Sequence, residues 1–164
     1  MKVLSYVPNG YEDIVKYYGD PDINKDGEPD LQWQIDNLKT FTFTVPMRIS
    51  WNGHYFISRF KAHKLIGNVI VEALDYIFNT VGVREMRDRT WDYWGGCYNF
   101  RPNANAVNHL SIHSWAAAID LNPHLAPNGV QECGQPKIII DAFEKRGFLW
   151  VKNDWMHCQA AKGY

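Results

Sequence analysis

The stretch Lys61-Ala-His-Lys-Leu-Ile-Gly-Asn-Val-Ile-Val-Glu-Ala-Leu-Asp-Tyr-Ile-Phe-Asn-Thr-Val81 carries the clearest periodic pattern in the chain. Leu65, Val69, Ile70, Ala73, Leu74, Ile77, Phe78 and Val81 recur every three or four residues, which predicts an amphipathic helix of about 20 residues that carries the core. The elements around it read as short. Phe41-Thr-Phe-Thr-Val45 alternates strictly and Pro46 follows, the pattern of a half-buried strand ended by proline. Asn9-Gly-Tyr-Glu12 has the form of a capping box ahead of Ile14, Val15, Tyr17 and Tyr18, so a short helix should end at Gly19. Beyond the long helix come a glycine-broken aromatic stretch at 91–101, a polar loop at 102–110, an apolar run at 115–121, a helix near 137–146 and a β-like end at 148–158. One long helix among several short strands, without βαβ spacing, predicts an α+β fold with a small, mainly antiparallel sheet and flanking helices. No repeat or linker divides the chain, so residues 1–164 read as one domain.

Composition narrows the function. With 17 Lys+Arg against 18 Asp+Glu over 164 residues, the chain lacks the cationic excess that nucleic-acid binding needs. No run approaches a spanning helix and the start has no apolar signal-peptide core, so neither a membrane partner nor a signal peptide is expected. Cys97, Cys133 and Cys158 have neither zinc-ribbon nor CxxC spacing, and read as reduced thiols made in a cytoplasm.

Chemistry concentrates in Leu110-Ser-Ile-His-Ser-Trp-Ala-Ala-Ala-Ile-Asp-Leu-Asn-Pro123 and Asn153-Asp-Trp-Met-His157. His113, Asp120 and His157 offer two imidazoles and a carboxylate, a donor set that suits Zn2+ because three protein ligands leave a tetrahedral position for water. Asp154, close before His157, is placed to take a proton from such a water without coordinating. On spacing alone the metal case is weak, because an Asp seven residues after a His is common by chance, and the alternative is a core strand of Ile112, Trp115, Ala116 to Ala118 and Ile119 whose His and Asp are merely hydrogen bonded.

The whole string resembles the zinc peptidases of peptidoglycan, which include VanY-like D-alanyl-D-alanine carboxypeptidases and phage L-alanyl-D-glutamate endopeptidases. Their signature Ser-x-His-x-x-Gly-x-Ala-x-Asp stands here as Ser111, His113, Ala116 in the glycine place, Ala118 and Asp120, with Asp154 and His157 as the final carboxylate and histidine. Gly96-Cys-Tyr-Asn-Phe-Arg101 looks like the segment that carries their substrate-binding Arg, and Gly147-Phe-Leu-Trp150 like their approach to the last motif. The resemblance covers roughly residues 50–160. It implies a Hedgehog/DD-peptidase-like fold, zinc on His113, Asp120 and His157, Asp154 as general base, and Arg101 on a substrate carboxylate or the developing oxyanion. Ser111, Trp115 and His109 are further candidates for contact with substrate. Two departures stand out. Ala116 would be strained if its backbone needs positive φ, and only Val151-Lys-Asn153 separates Trp150 from Asp154, which would open one cleft wall.

His54, His63 and His124 read as solvated or hydrogen-bonded residues. The acidic loop Asp22, Asn24, Asp26, Gly27 and Asp30 imitates a Ca2+ loop, but Trp33 stands where a bidentate Glu is needed, so a solvated turn is favoured over calcium. The expected protein is thus a monomeric zinc peptidase, an endolysin that bacteriophage-style holin release would bring to the cell wall, with bacterial peptidoglycan as partner. A D-alanyl-D-alanine carboxypeptidase is the alternative within enzymes, and an inactive zinc-stabilised cell-wall binding module the alternative outside them.

Overall fold

The long helix is shorter than its pattern. In the computed structural model, which describes residues 1–104, 106 and 108–163, Lys61–His63 close a strand and the helix begins at Gly67. The elements run α1 (Tyr11–Tyr18), α2 (Leu31–Asn37), β1 (Leu38–Ile49), β2 (Asn52–His63), α3 (Gly67–Val81), α4 (Val83–Asp88), β3 (Tyr93–Gly96), a 3-10 turn (Ile112–Trp115), β4 (Ala118–Leu121), α5 (Lys137–Glu144), β5 (Leu149–Val151) and β6 (Asp154–Gln159). Ladder pairing of Leu38 with His63, Lys39 with Ala62 and Thr40 with Lys61 claims the residues that periodicity alone assigns to the helix. Tertiary pairing outweighs the local pattern there.

The sheet has six strands in the order β2-β1-β3-β4-β6-β5. All neighbours are antiparallel except β1 and β3, which pair in parallel through Arg48–Tyr93 and Ile49–Trp94. With its helices this is the α+β class expected, on a larger and mixed sheet. Pro46 does not end its strand. β1 continues to Ile49, and the register with β2 slips between Thr42 and Met47, so the proline's missing N–H falls where the ladder is already broken.

The capping box is displaced too. Gly10, at φ 85°, takes the N-cap of α1 with no side-chain cap, and Asp13 rather than Glu12 reaches back, its Oδ2 accepting from the Asn9 N–H at 2.8 Å. Moving the cap from Asn9 to Gly10 makes Asp13 the third helical residue, the position from which a carboxylate returns to the chain. The helix ends at Gly19 as expected.

Val69, Ile70, Ala73, Leu74, Ile77 and Phe78 form the buried face of α3, each large one contributing about 1.5–3 kcal/mol of burial. Phe43, Phe60 and Trp94 meet at centroid distances of 4.6 and 5.0 Å and join the β1–β2 hairpin to β3. The start of β3 is tied down by Asp92, fully buried and ion-paired to both Arg48 and Arg87. Behind the last strands, the Tyr18 hydroxyl donates to the Ala160 carbonyl at 2.8 Å and Trp115 Nε1 to the Gly19 carbonyl at 2.7 Å. These bonds clamp α1 against the end of β6 and the 3-10 turn.

Candidate metal centre

Strand register puts two of the site residues side by side. Asp120 on β4 lies opposite His157 on β6, and opposite residues of an antiparallel pair project from the same face. His113 arrives from the 3-10 turn. Ser111 caps that turn, its Oγ accepting from the His113 N–H at 3.4 Å, and the turn is fastened to the Arg101 backbone by Ser111 N–H to Arg101 O at 2.9 Å and by Ser114 Oγ, 3.0 Å from both Arg101 N and O. The apolar run at 115–121 is therefore only half strand. Its first part turns through Ala116, which sits in the left-handed region at φ 52°, ψ 35°. On the other side of β4, Gly95 lets β3 approach, since a Cβ there would stand 2.7 Å from Asp120 Cβ.

His113 Nε2, His157 Nδ1 and Asp120 Oδ1 form a triangle with edges of 3.0, 3.2 and 3.3 Å. Both ring orientations are set from behind. His113 Nδ1 lies 2.7 Å from the Cys97 carbonyl, which only accepts, so Nδ1 carries the proton and Nε2 faces the triangle as a lone pair. Gln159 Nε2 donates to the Ala161 carbonyl at 3.0 Å, which turns Gln159 Oε1 to His157 Nε2, also at 3.0 Å. His157 Nε2 is then the donor, and its Nδ1 faces inward. Three lone pairs converge on one point, an arrangement that demands a positive charge between them. A proton taken up on the inward nitrogens would supply that charge. Burial pushes the Asp120 carboxyl up, yet so bonded to His113 and His157 it is held well below the usual range. The edges are close to the about 3.4 Å between adjacent ligands of a tetrahedral ion held at about 2.0–2.1 Å, so the residues fit a zinc ion.

Asp154, first residue of β6, borders the same cleft, a hollow of about 210 Å³ that it shares with Arg101, Ser111, His157 and Gln159. Its Oδ1 is buried without a hydrogen-bond partner among the described residues. Burial raises its pKa above the ordinary carboxylate value, against the lowering effect of His157, His113 and Arg101. Arg101 is exposed, and its guanidinium has no ion-pair partner among the described residues. The short connection before Asp154 is a tight hairpin turn, with Val151 paired to Asp154 and Asn153 at φ 66°. The wall there is supplied by Asn128, whose loop is held by a Gly129 N–H to Asn153 O bond of 2.7 Å.

Other candidates fall elsewhere. Ser111 borders the cleft, but Trp115 is wholly buried with its N–H spent on Gly19, so its expected contact with substrate is corrected to a packing role. His109 stacks on Tyr11 at 4.2 Å and borders a separate hollow with Asp22 and Lys25, so spacing along the chain did not bring it to the metal cleft. In the acidic loop Asp22, Asp26 and Asp30 each accept from a backbone N–H two to four residues on, and Asp30 caps α2. Those carboxylates organise the turn itself. His63 is buried between Tyr18 O and the Leu65 N–H, and burial lowers its pKa to about 4. Cys97 and Cys158 are buried free thiols and Cys133 an exposed one.

Two contributors escaped the sequence reasoning, Gln159 and the Cys97 carbonyl. Gln159 follows His157 by two residues on one strand, and that same-face spacing is a signal that points to it; a backbone carbonyl leaves none.

Two imidazoles and a carboxylate with one open side, beside an unpartnered buried carboxylate, are a set that could hold a metal ion of the kind that hydrolases use. Residues 104–160, roughly the C-terminal third of the chain, match the family model described as D-alanyl-D-alanine carboxypeptidase. The match holds His113, Asp120, Asp154 and His157 but not Arg101, and it supports the resemblance drawn from the motifs. Comparisons with curated proteins and with solved structures found no match.

Proposed function

We propose that the protein is a zinc metallopeptidase that cleaves an amide bond in the peptidoglycan stem peptide, as an L-alanyl-D-glutamate endopeptidase of endolysin type. The observation that carries it is the convergence of three lone pairs, on His113, Asp120 and His157, next to the unpartnered Asp154. A zinc ion held by those three residues would supply Lewis acidity toward the scissile carbonyl and lower the pKa of a water. Asp154 takes the proton of the attacking water and returns it to the leaving amine, a role that suits a carboxylate kept partly out of solvent with one oxygen free. Arg101 donates to the developing oxyanion or to a substrate carboxylate, for which its fork has two parallel N–H groups. Ser111 holds the turn that aims His113. Export by a separate membrane-permeabilising partner belongs to the same proposal.

The description of the matched family favours a second reading, a D-alanyl-D-alanine carboxypeptidase working through the same residues. A binding module without activity is less well supported, because a structural metal site has no use for Asp154. Mass spectrometry of muropeptides released from purified cell walls decides among the three. New L-alanine/D-glutamate ends that vanish with chelator support the endopeptidase, release of D-alanine supports the carboxypeptidase, and intact peptides with zinc loaded refute both.

A further inference from the structure

Beyond the Asp154 side of the centre, a second hollow of about 260 Å³ is bordered by Arg101, His113, Asp120, Tyr98 and Trp51. It shares Trp51 and Tyr98 with a third hollow of about 230 Å³ that runs along β2 past Ile57, Arg59 and Lys61. Together they make one groove from the metal centre onto the β1–β2 hairpin, which lies outside the segment matched by the family model.

Its chemistry is one-sided. Trp51, in the hairpin turn, leaves 71 % of its surface in solvent, although it borders the same hollow as His113 and Asp120. Arg59 and Lys61 are exposed residues two apart on β2, so they project from one face about 7 Å from each other. Neither has an acidic partner among the described residues, and no carboxylate borders the outer hollow. The Tyr98 hydroxyl is buried with no hydrogen-bond partner among the described residues. An indole face and two cations at a strand's two-residue repeat match an extended peptide whose carboxylates recur at that same spacing. Charge complementarity therefore selects an acidic peptide over a neutral glycan strand.

We propose that this groove is the extended subsite for the anionic part of the substrate peptide, with Arg59 and Lys61 reading its carboxylates and Trp51 covering its backbone. The inference rests on the peptidase reading and adds to it a specificity determinant: free carboxylates on the stem peptide are preferred over amidated ones. Arg59 and Lys61 act on binding, and the chemical step stays with the metal centre.

The test compares zinc-loaded parent, Arg59→Gln/Lys61→Gln and Trp51→Ala on two synthetic stem peptides, one with free carboxylates and one with them amidated. Circular dichroism checks that each variant folds. The parent should prefer the acidic peptide. The double variant should raise KM for that peptide by about tenfold, as expected of two partly screened ion pairs worth about 0.7 kcal/mol each, with the loss confined to KM and little change on the amidated peptide. Trp51→Ala should raise KM for both. Equal KM for the double variant and the parent on the acidic peptide, or an equal rise on both peptides, overturns the proposal. Equilibrium binding to Asp154→Asn, read by calorimetry, separates this from the parent reading. Charge-dependent binding without any hydrolysis by the parent keeps the groove and sinks the peptidase, whereas hydrolysis without charge preference does the reverse.

Discussion

Replacing Gln159 should weaken the metal site without touching a ligand. Its Oε1 accepts from His157 Nε2 at 3.0 Å, its Nε2 is anchored on the Ala161 carbonyl at 3.0 Å, and the residue is 6 % exposed. In Gln159→Leu, which has similar bulk and no acceptor, His157 keeps a buried N–H with nothing to receive it, at a cost of about 1–3 kcal/mol. The ring's escape is to carry the proton on Nδ1 instead, where Asp120 Oδ1 lies 3.2 Å away, and that withdraws the lone pair from the metal position. Loss of a partner that orients a ligand lowers metal affinity by about 10- to 100-fold, or about 1.4–2.7 kcal/mol, in agreement with the first figure. Gln159→Glu keeps an acceptor for His157, although it gives up the donor to the Ala161 carbonyl, and should bind zinc more tightly than Gln159→Leu. Zinc competition against a chromophoric chelator measures all three proteins, and the cobalt-substituted absorption spectrum reports whether coordination survives. If Gln159→Leu and Gln159→Glu bind zinc equally, the ring is not set by this bond, and the argument that the triangle is built for a cation loses one of its two supports.

Asp154→Ala should keep zinc and lose hydrolysis, while His157→Ala loses both, as metal analysis beside a turnover assay will show; equal metal loss would make Asp154 a ligand. Arg101→Lys should leave zinc content and folding intact and cut kcat by about 100- to 1,000-fold if Arg101 serves the oxyanion. A rise confined to KM would instead assign it to a substrate carboxylate. Gly95→Ala should lower both thermal stability, by about 1–3 kcal/mol, and zinc affinity, because its Cβ would lie 2.7 Å from Asp120 Cβ and must push β4 aside; unchanged zinc affinity would mean that β4 yields without moving its carboxylate.

The candidate metal centre was largely legible because its residues bear chemistry in their types. Two histidines and two aspartates in a string that resembles a known signature need only to be brought together, and β4–β6 pairing does so. What orients them was not legible. The proton on His113 is set by a backbone carbonyl at Cys97, which has no residue code, and the site's access depends on a hairpin whose sequence looks like an ordinary strand pair. Trp51 illustrates the difficulty, since an isolated Trp before Asn52-Gly53 signals a turn and nothing in that pattern says the turn faces His113. Boundaries failed for a different reason. Periodicity at 61–66 is compatible with both helix and strand, and the choice was made by the partner strand at 38–40. His109 shows the converse, a residue near His113 in sequence that stacking on Tyr11 draws to another surface.

Ala116 shows how such a site accommodates a departure from the signature that it resembles. The left-handed angle there means that the methyl carries a real penalty, about 1–2 kcal/mol for a residue with a Cβ. The neighbouring bonds cross the strained residue and do not depend on its side chain. Ala116 N–H donates to the His113 carbonyl at 2.9 Å, and its own carbonyl accepts from the His63 N–H at 3.0 Å. The following N–H, on Ala117, reaches back to Ile112 O, and Ala160 N–H reaches Ala117 O. A turn tied on both sides to β2 and β6 holds an unfavourable angle as an ordinary cost of the fold, one that burial of the methyl at about 0.8 kcal/mol partly offsets. Glycine in that place would remove the strain but lose the buried methyl and add freedom to the unfolded chain, a cost of about 0.4–1 kcal/mol. The opposing amounts are similar in size, and so an alanine can stand at this position while the register that sets Asp120 opposite His157 is kept.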